Sequence, residues 1–260
     1  MSSVDYQVCF IQGDWLLPTV WDKFERHFRA CGYVCSVLSI PAVDGVRWQQ
    51  ILHGDSRSSL MGRLVDFYAE LIAAYPTPPI LIGHALGGLV VQLLLDRGLG
   101  AAGVVIAPRP PQGVFPGAVS LMHVLTAKVE SLHSIRFLSL TPAQFARRVA
   151  YPLSGRTICP LHKRLIGRVP QRLMAAAATG VGCRLHFNRE RGPLLLVTGG
   201  DDRMVASTVV HANYLHQHRS LAPTHYICFP GYGHLILTQP GWEAVADRIL
   251  TWLQHQLGWI

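Results

Sequence analysis

Short apolar runs along this chain alternate with longer stretches in which an apolar residue returns every third or fourth position. Val4 to Ile11, with Val4, Tyr6, Val8, Cys9, Phe10 and Ile11 apolar, predicts a strand, and a loop with Gly13 and Pro18 follows. Thr19 is placed to cap a helix to about Ala30, with Val20, Phe24 and Phe28 on its apolar face and Gly32 as its stop. Tyr33 to Ile40 predicts a second strand, ended by Pro41. A polar loop leads to Ser58, a candidate cap for a helix bearing Leu60, Leu64, Phe67, Leu71 and Ile72, which Pro76, Pro78 and Pro79 close. Ile80 to Ile82 predicts a third strand, and Leu86 to Leu95 a helix apolar almost all round and therefore buried. Ala101 to Ala107 predicts another strand, and prolines at 108, 110 and 111 mark a boundary. After Pro193 the alternation resumes with a strand Leu194 to Thr198, a helix from Ser207 to His218, a strand Tyr226 to Phe229 and an amphipathic helix from Gly241 to Leu257.

Strands alternating with helices imply an α/β fold whose mostly parallel central sheet carries helices on both faces. Between 112 and 191 the alternation stops: 120–133, 142–149 and 170–178 have helical spacing, and no stretch has a convincing strand pattern. The expected organisation is a core of residues 1–110 and 192–260, interrupted at 111–191 by a helical insertion. Such an insertion sits above the carboxyl ends of the strands, where open α/β sheets bind ligands, and so acts as a lid.

Composition bounds the function. Half of the 260 residues are apolar and 15% are charged, which excludes a disordered chain. No apolar run reaches the roughly 18 residues that span a bilayer, and the segment Met1 to Asp5 has neither a basic start nor an apolar h-region. The six cysteines are scattered without a C-x-x-C pair, so buried reduced thiols are expected, and a cytoplasmic enzyme without metal or cofactor fits best. The net charge of +8 is uneven: Pro111 to Glu190 holds eleven Lys or Arg and two acids, whereas the rest of the chain is nearly balanced. The basic segment is either a solvated helical surface or an attractor for an anionic substrate or an acidic carrier protein. No nucleic-acid-binding motif accompanies it, and no membrane partner is expected.

The segment Ile80-Leu81-Ile82-Gly83-His84-Ala85-Leu86-Gly87-Gly88 has the spacing of a strand, a sharp turn and a helix that present a nucleophile at the top of a sheet, with Ala85 where a serine would stand. Two further residues follow in the order such a site uses. Asp202 comes after the strand Leu194 to Thr198, in Gly199-Gly200-Asp201-Asp202-Arg203, and His234 lies in Gly231-Tyr232-Gly233-His234-Leu235 after the next strand. An imidazole to take a proton and a carboxylate to hold its tautomer are what that chemistry requires.

On these motifs the chain resembles the α/β-hydrolase family over essentially its whole length, near small-molecule esterase, lactonase and haloperoxidase-like enzymes with a helical cap. The resemblance implies Ala85 at the nucleophile position, Asp202 as the acid and His234 as the base. It implies backbone N–H groups of Leu86 and Asp14 as oxyanion donors, with His84, Trp15 and Tyr232 as candidate substrate-binding residues. The first loop, Gln12-Gly13-Asp14-Trp15, departs from the family's His-Gly followed by a small or apolar residue. A carboxylate there opposes an oxyanion unless Asp14 turns away, binds loop amides or serves as a repurposed acid or base. Three functions follow. The first is a hydrolase of esters, thioesters or lactones that lacks its serine and is inactive as it stands. The second is a lyase or cyclase that never needed one, with His234 as general base. The third is a ligand-binding pseudoenzyme.

Overall fold

A computed structural model of the chain describes residues 6–39, 50–52, 59–118, 122, 128–132, 135–153 and 158–258. Its central sheet has six strands, β1 (Gln7–Ile11), β2 (Val34–Leu38), β3 (Ile80–His84), β4 (Ala102–Ile106), β8 (Leu194–Gly199) and β9 (Thr224–Phe229), in the order β2-β1-β3-β4-β8-β9 and all parallel. The strands predicted from apolar runs are present with ends shifted by a few residues. β3, β4 and β8 are buried along their whole length, as expected of parallel strands covered on both faces.

The covering helices are α1 (Asp22–Ala30), α2 (Leu60–Ala73), α3 (Leu86–Asp96), α6 (Ser207–Gln217) and α7 (Trp242–Leu257). All eleven residues of α3 are buried, in agreement with its uniformly apolar sequence. Thr19 does not cap α1: the entry is a 3-10 turn, Pro18–Trp21, and the Thr19 hydroxyl donates instead to the Arg164 carbonyl at 3.3 Å. α2 is capped by Ser59, whose hydroxyl accepts the Gly62 N–H at 2.9 Å; the expected cap, Ser58, lies outside the described residues.

The chain leaves the sheet at the carboxyl end of β4 and re-enters it at β8, the neighbouring strand, so everything between is an insertion. The expectation of an all-helical insertion is corrected. β5 (Lys128–Leu132), β6 (Ile135–Ser139) and β7 (Val169–Pro170) form a small antiparallel sheet beside α4 (Ile158–Leu165) and α5 (Gln171–Thr179), and the candidate helix 120–133 contains β5. Lys128-Val129-Glu130-Ser131-Leu132 and Ile135-Arg136-Phe137-Leu138-Ser139 are not the unbroken apolar runs that mark the central strands, and a proline as half of the two-residue β7 points away from strand. The 142–149 element is helical, a turn at Pro142–Gln144 continuing as a π turn at Phe145–Val149. The insertion docks on the loop after β1, where the Leu17 N–H donates to Leu165 and the Gly167 N–H to Trp15. It is tied back to the end of α3 by Asp96, which accepts from the His186 backbone and from its ring at 2.8 Å.

Buried Cys9, Cys35 and Cys183 and exposed Cys31, Cys159 and Cys228 are all free thiols. The expectation of buried thiols is corrected for Cys31, Cys159 and Cys228. Among the described residues, no helix is long and apolar enough to cross a membrane.

Candidate active site

The strand order reverses direction between β1 and β3, and ligands bind at such a switch point in open α/β sheets. Two loops meet there, Gln12–Trp15 after β1 and the turn after β3. Ala85 holds φ 50° and ψ −113°, a strained conformation for a residue with a side chain. The turn depends on two glycines: a Cβ on Gly83 would collide with the Gly87 carbonyl, and one on Gly87 with the carbonyls of Ile11 and Gln12. The sequence therefore builds the elbow of a nucleophile and ends it in a methyl group.

The acid and base are assembled beside it. The His234 Nδ1–H donates to Asp202 Oδ2 at 2.8 Å, and both side chains are buried. Asp202 Oδ1 accepts the backbone N–H groups of Met204 at 2.7 Å and Val205 at 2.9 Å, so both carboxylate oxygens are fixed. This arrangement holds the tautomer in which Nε2 is the lone-pair nitrogen, available to exchange a proton with a bound molecule.

Leu86 and Asp14 are brought together, but not as two open oxyanion donors. The Leu86 N–H donates at 2.9 Å to the side-chain carboxylate of Asp14, through Oδ1. The other carboxylate oxygen, Oδ2, accepts Arg109 Nε at 2.9 Å and a second guanidinium nitrogen as well. Asp14 is 1% exposed and Arg109 3%, so this is a fully buried ion pair. Burial pushes the Asp14 carboxyl up, but the Arg109 charge and hydrogen bonds, the Leu86 N–H and His234 outweigh it and hold the group below the usual carboxylate range. On the Leu86 N–H, the oxyanion donor that the resemblance implies, this chain places a buried carboxylate.

His84, Trp15 and Tyr232 occupy three different settings. His84 is buried under the base, its ring centroid 4.5 Å from that of His234, and its Nε2–H donates to the His234 carbonyl at 3.1 Å. Burial, with the charge of His234 beside it, lowers its pKa to about 3, so His84 is a neutral prop. Trp15 is buried at φ 66° in the loop after β1. The Tyr232 hydroxyl donates to the Gly241 carbonyl at 2.9 Å and its ring packs edge-on against Phe229.

Sequence reasoning missed Arg109. An arginine between prolines carries no periodic signal, and the only hint was an unexplained acid at position 14. Its backbone N–H donates to the Ala85 carbonyl at 3.0 Å while its guanidinium holds Asp14, so one residue braces both halves of the altered site. Among the described residues, no group of three or more His, Cys, Asp or Glu side chains could hold a metal ion.

The fold is shared with enzymes of several activities. The structure superposes on tomato methylketone synthase I in complex with β-ketoheptanoate with a TM-score of 0.69 at 16% identity, covering 98% of this chain and 100% of that one. Polyneuridine aldehyde esterase gives a TM-score of 0.67 at 15% identity over 95% and 98% of the two chains. The monoacylglycerol lipase of Paleococcus ferrophilus gives 0.65 at 18% identity over 96% and 94%. Likeness at such identities establishes the fold alone. No curated protein sequence matches. The model of the alpha/beta hydrolase family matches residues 10–248, which takes in the elbow, Asp202 and His234, and the chain belongs to that family.

Proposed function

We propose that the protein is a lyase-type member of its family: His234, oriented by Asp202, moves a proton during cleavage of a small carbonyl compound, and no acyl-enzyme forms. The observation that carries this reading is the Asp14 carboxylate on the Leu86 N–H. Loss of a serine alone would leave a hydrolase waiting for its nucleophile, with the oxyanion donor free. Filling that donor with a buried, Arg109-paired anion removes the second requirement of ester cleavage as well.

Charge flow separates the reactions this site can support. In ester hydrolysis the carbonyl oxygen gains negative charge that the ground state lacks, so a fixed carboxylate at that oxygen raises the barrier. In decarboxylation of a β-keto acid the negative charge is already present and only migrates from the carboxylate toward the ketone oxygen. The field of Asp14 then opposes only the displacement of a charge already present, not the creation of a new one, and raises the barrier less than in ester hydrolysis. The bond between the α-carbon and the carboxylate breaks, carbon dioxide leaves with its oxygens, the electron pair forms an enolate, and His234 Nε2, which takes a proton from water, passes it to the α-carbon and regains its lone pair. The products are one methyl ketone and one carbon dioxide, and the hydroxide left by that water adds to the carbon dioxide as bicarbonate. Solved relatives of this fold include methylketone synthase I in complexes with β-ketoheptanoate and with 2-tridecanone, which makes a β-keto acid the substrate class to test first.

The test follows 2-pentanone release from 3-oxohexanoate by gas chromatography, with the spontaneous rate subtracted. Turnover by the purified chain that falls to the spontaneous rate in His234→Ala is expected. A wild-type rate equal to the spontaneous one, or an unchanged rate in His234→Ala, overturns the reading.

A further inference from the structure

Between Glu130 and Glu190 the sequence holds ten Lys or Arg and no acid, so the insertion cannot neutralise its own charge. Part of that excess converges on a cleft of about 450 Å³ at the junction of the insertion with the core. Arg147 and Arg148, from the π turn, form one wall; Arg203 and the start of α6 form the other; Pro116, Ala206 and Val209 supply apolar surface. Arg203 is held in place by stacking on Tyr151, its guanidinium carbon 3.3 Å from the ring centroid. The pKa of Arg148 is lowered by burial and then by the adjacent charge of Arg147. The first turn of α6, an eleven-residue helix, adds the positive end of its dipole to the same cleft. Among the described residues Asp202 is the one acid lining it, and both of its oxygens are already committed, to His234 and to the Met204 and Val205 amides.

We propose that this cleft is a binding site for an organic phosphate, the phosphoryl group against Arg147, Arg148 and Arg203 and a short apolar portion against Pro116, Ala206 and Val209. Three guanidinium forks suit a dianion with three terminal oxygens better than a single carboxylate. Asp202 lies in the lining of the cleft, so the site adjoins the acid–base pair, and its occupant is a phosphorylated effector. It stands independently of the reaction proposed for His234, because binding is read directly.

Isothermal titration of the full chain uses hexyl phosphate, inorganic phosphate and hexanoate as probes. Hexyl phosphate is expected to bind most tightly, to weaken at least tenfold in Arg147→Gln/Arg203→Gln, and to weaken as potassium chloride is raised. Arg219→Gln, in a separate basic cleft with Arg184 and His216, is expected to leave that affinity unchanged. Hexanoate binding as tightly as hexyl phosphate overturns the phosphate class, and inorganic phosphate doing so overturns the role of the apolar surface. Loss of binding in Arg219→Gln but not in the double variant overturns the location, and no binding at millimolar probe overturns the site.

Discussion

Restoring the serine should not restore an esterase. In Ala85→Ser the new hydroxyl would sit on an elbow that already has the required turn, beside an oriented His234. The oxyanion would nevertheless compete with Asp14 for the Leu86 N–H, which is already engaged at 2.9 Å. Loss of one oxyanion donor costs about 10²- to 10³-fold in turnover. The Asp14 carboxylate adds a repulsion of its own, reduced by the Arg109 guanidinium bonded to it. Ala85→Ser alone should therefore stay about 10³-fold or more below a working member of the family, near the background for p-nitrophenyl acetate. Removing Asp14 alone would strand the buried Arg109 and cost about 3–5 kcal/mol, so the pair must go together. Ala85→Ser/Asp14→Leu/Arg109→Met should hydrolyse the ester at least 100-fold faster than Ala85→Ser, with a p-nitrophenol burst that reports the acyl-enzyme. Equal, readily measured esterase activity in the single and triple variants would refute the argument that Asp14 blocks this chemistry.

Other outcomes follow from the same geometry. Asp14→Ala should lower the melting temperature by about 10 °C, from the stranded Arg109 charge, as scanning calorimetry would register. Asp202→Asn should keep the fold but reduce any His234-dependent turnover by about 10⁴-fold, because the amide favours the wrong imidazole tautomer; full activity would remove Asp202 from its role. His84 has a folded pKa lowered to about 3, so below pH 6.5 the unfolded chain binds a proton that the native state refuses. Its contribution to stability is complete above pH 6.5 and is lost as the pH falls toward 3, at about 1.4 kcal/mol per pH unit. Urea titrations at pH 7 and pH 5 should show a smaller loss in His84→Gln than in the natural chain. Ser59→Ala should cost about 1 kcal/mol through the lost cap of α2, visible in the same titrations.

The sheet was legible because its strands are buried on both faces and so are written as unbroken apolar runs, such as Ile80 to Ile82 and Leu194 to Val197. The elbow was legible because close backbone approach admits only glycine at 83 and 87. Asp202 and His234 could be placed because each follows a recognisable strand at the sheet's carboxyl edge. What the sequence concealed is tertiary. Thr19 looks like a cap, but a 3-10 turn displaces the start of α1 past it. The little sheet of the insertion rests on pairings such as Leu138 with Val169, thirty-one residues apart, which no local pattern encodes. Asp14 and Arg109 are separated by 95 residues, and neither suggests the other until the two loops meet.

That pairing also accounts for how the two departures support each other. The helix α3 begins at Leu86 in the core, and the residue before it, Ala85, offers no side-chain acceptor to the first free N–H groups. In a hydrolase that N–H must stay open for the substrate, and its unmet hydrogen bond is part of the cost of keeping an oxyanion site ready. With alanine at position 85 no tetrahedral acyl intermediate forms, and closing the N–H costs no acyl chemistry. Asp14 then acts as a cap supplied from the loop after β1, satisfying Leu86 and placing a negative charge at the positive end of the α3 dipole. Arg109 neutralises that charge from the opposite loop and, through its own N–H on the Ala85 carbonyl, fastens the strained turn. These contacts make the turn at Ala85 a rigid one: the His234–Asp202 hydrogen bond stands beside it, and the Leu86 N–H is closed by a carboxylate that also stabilises the fold.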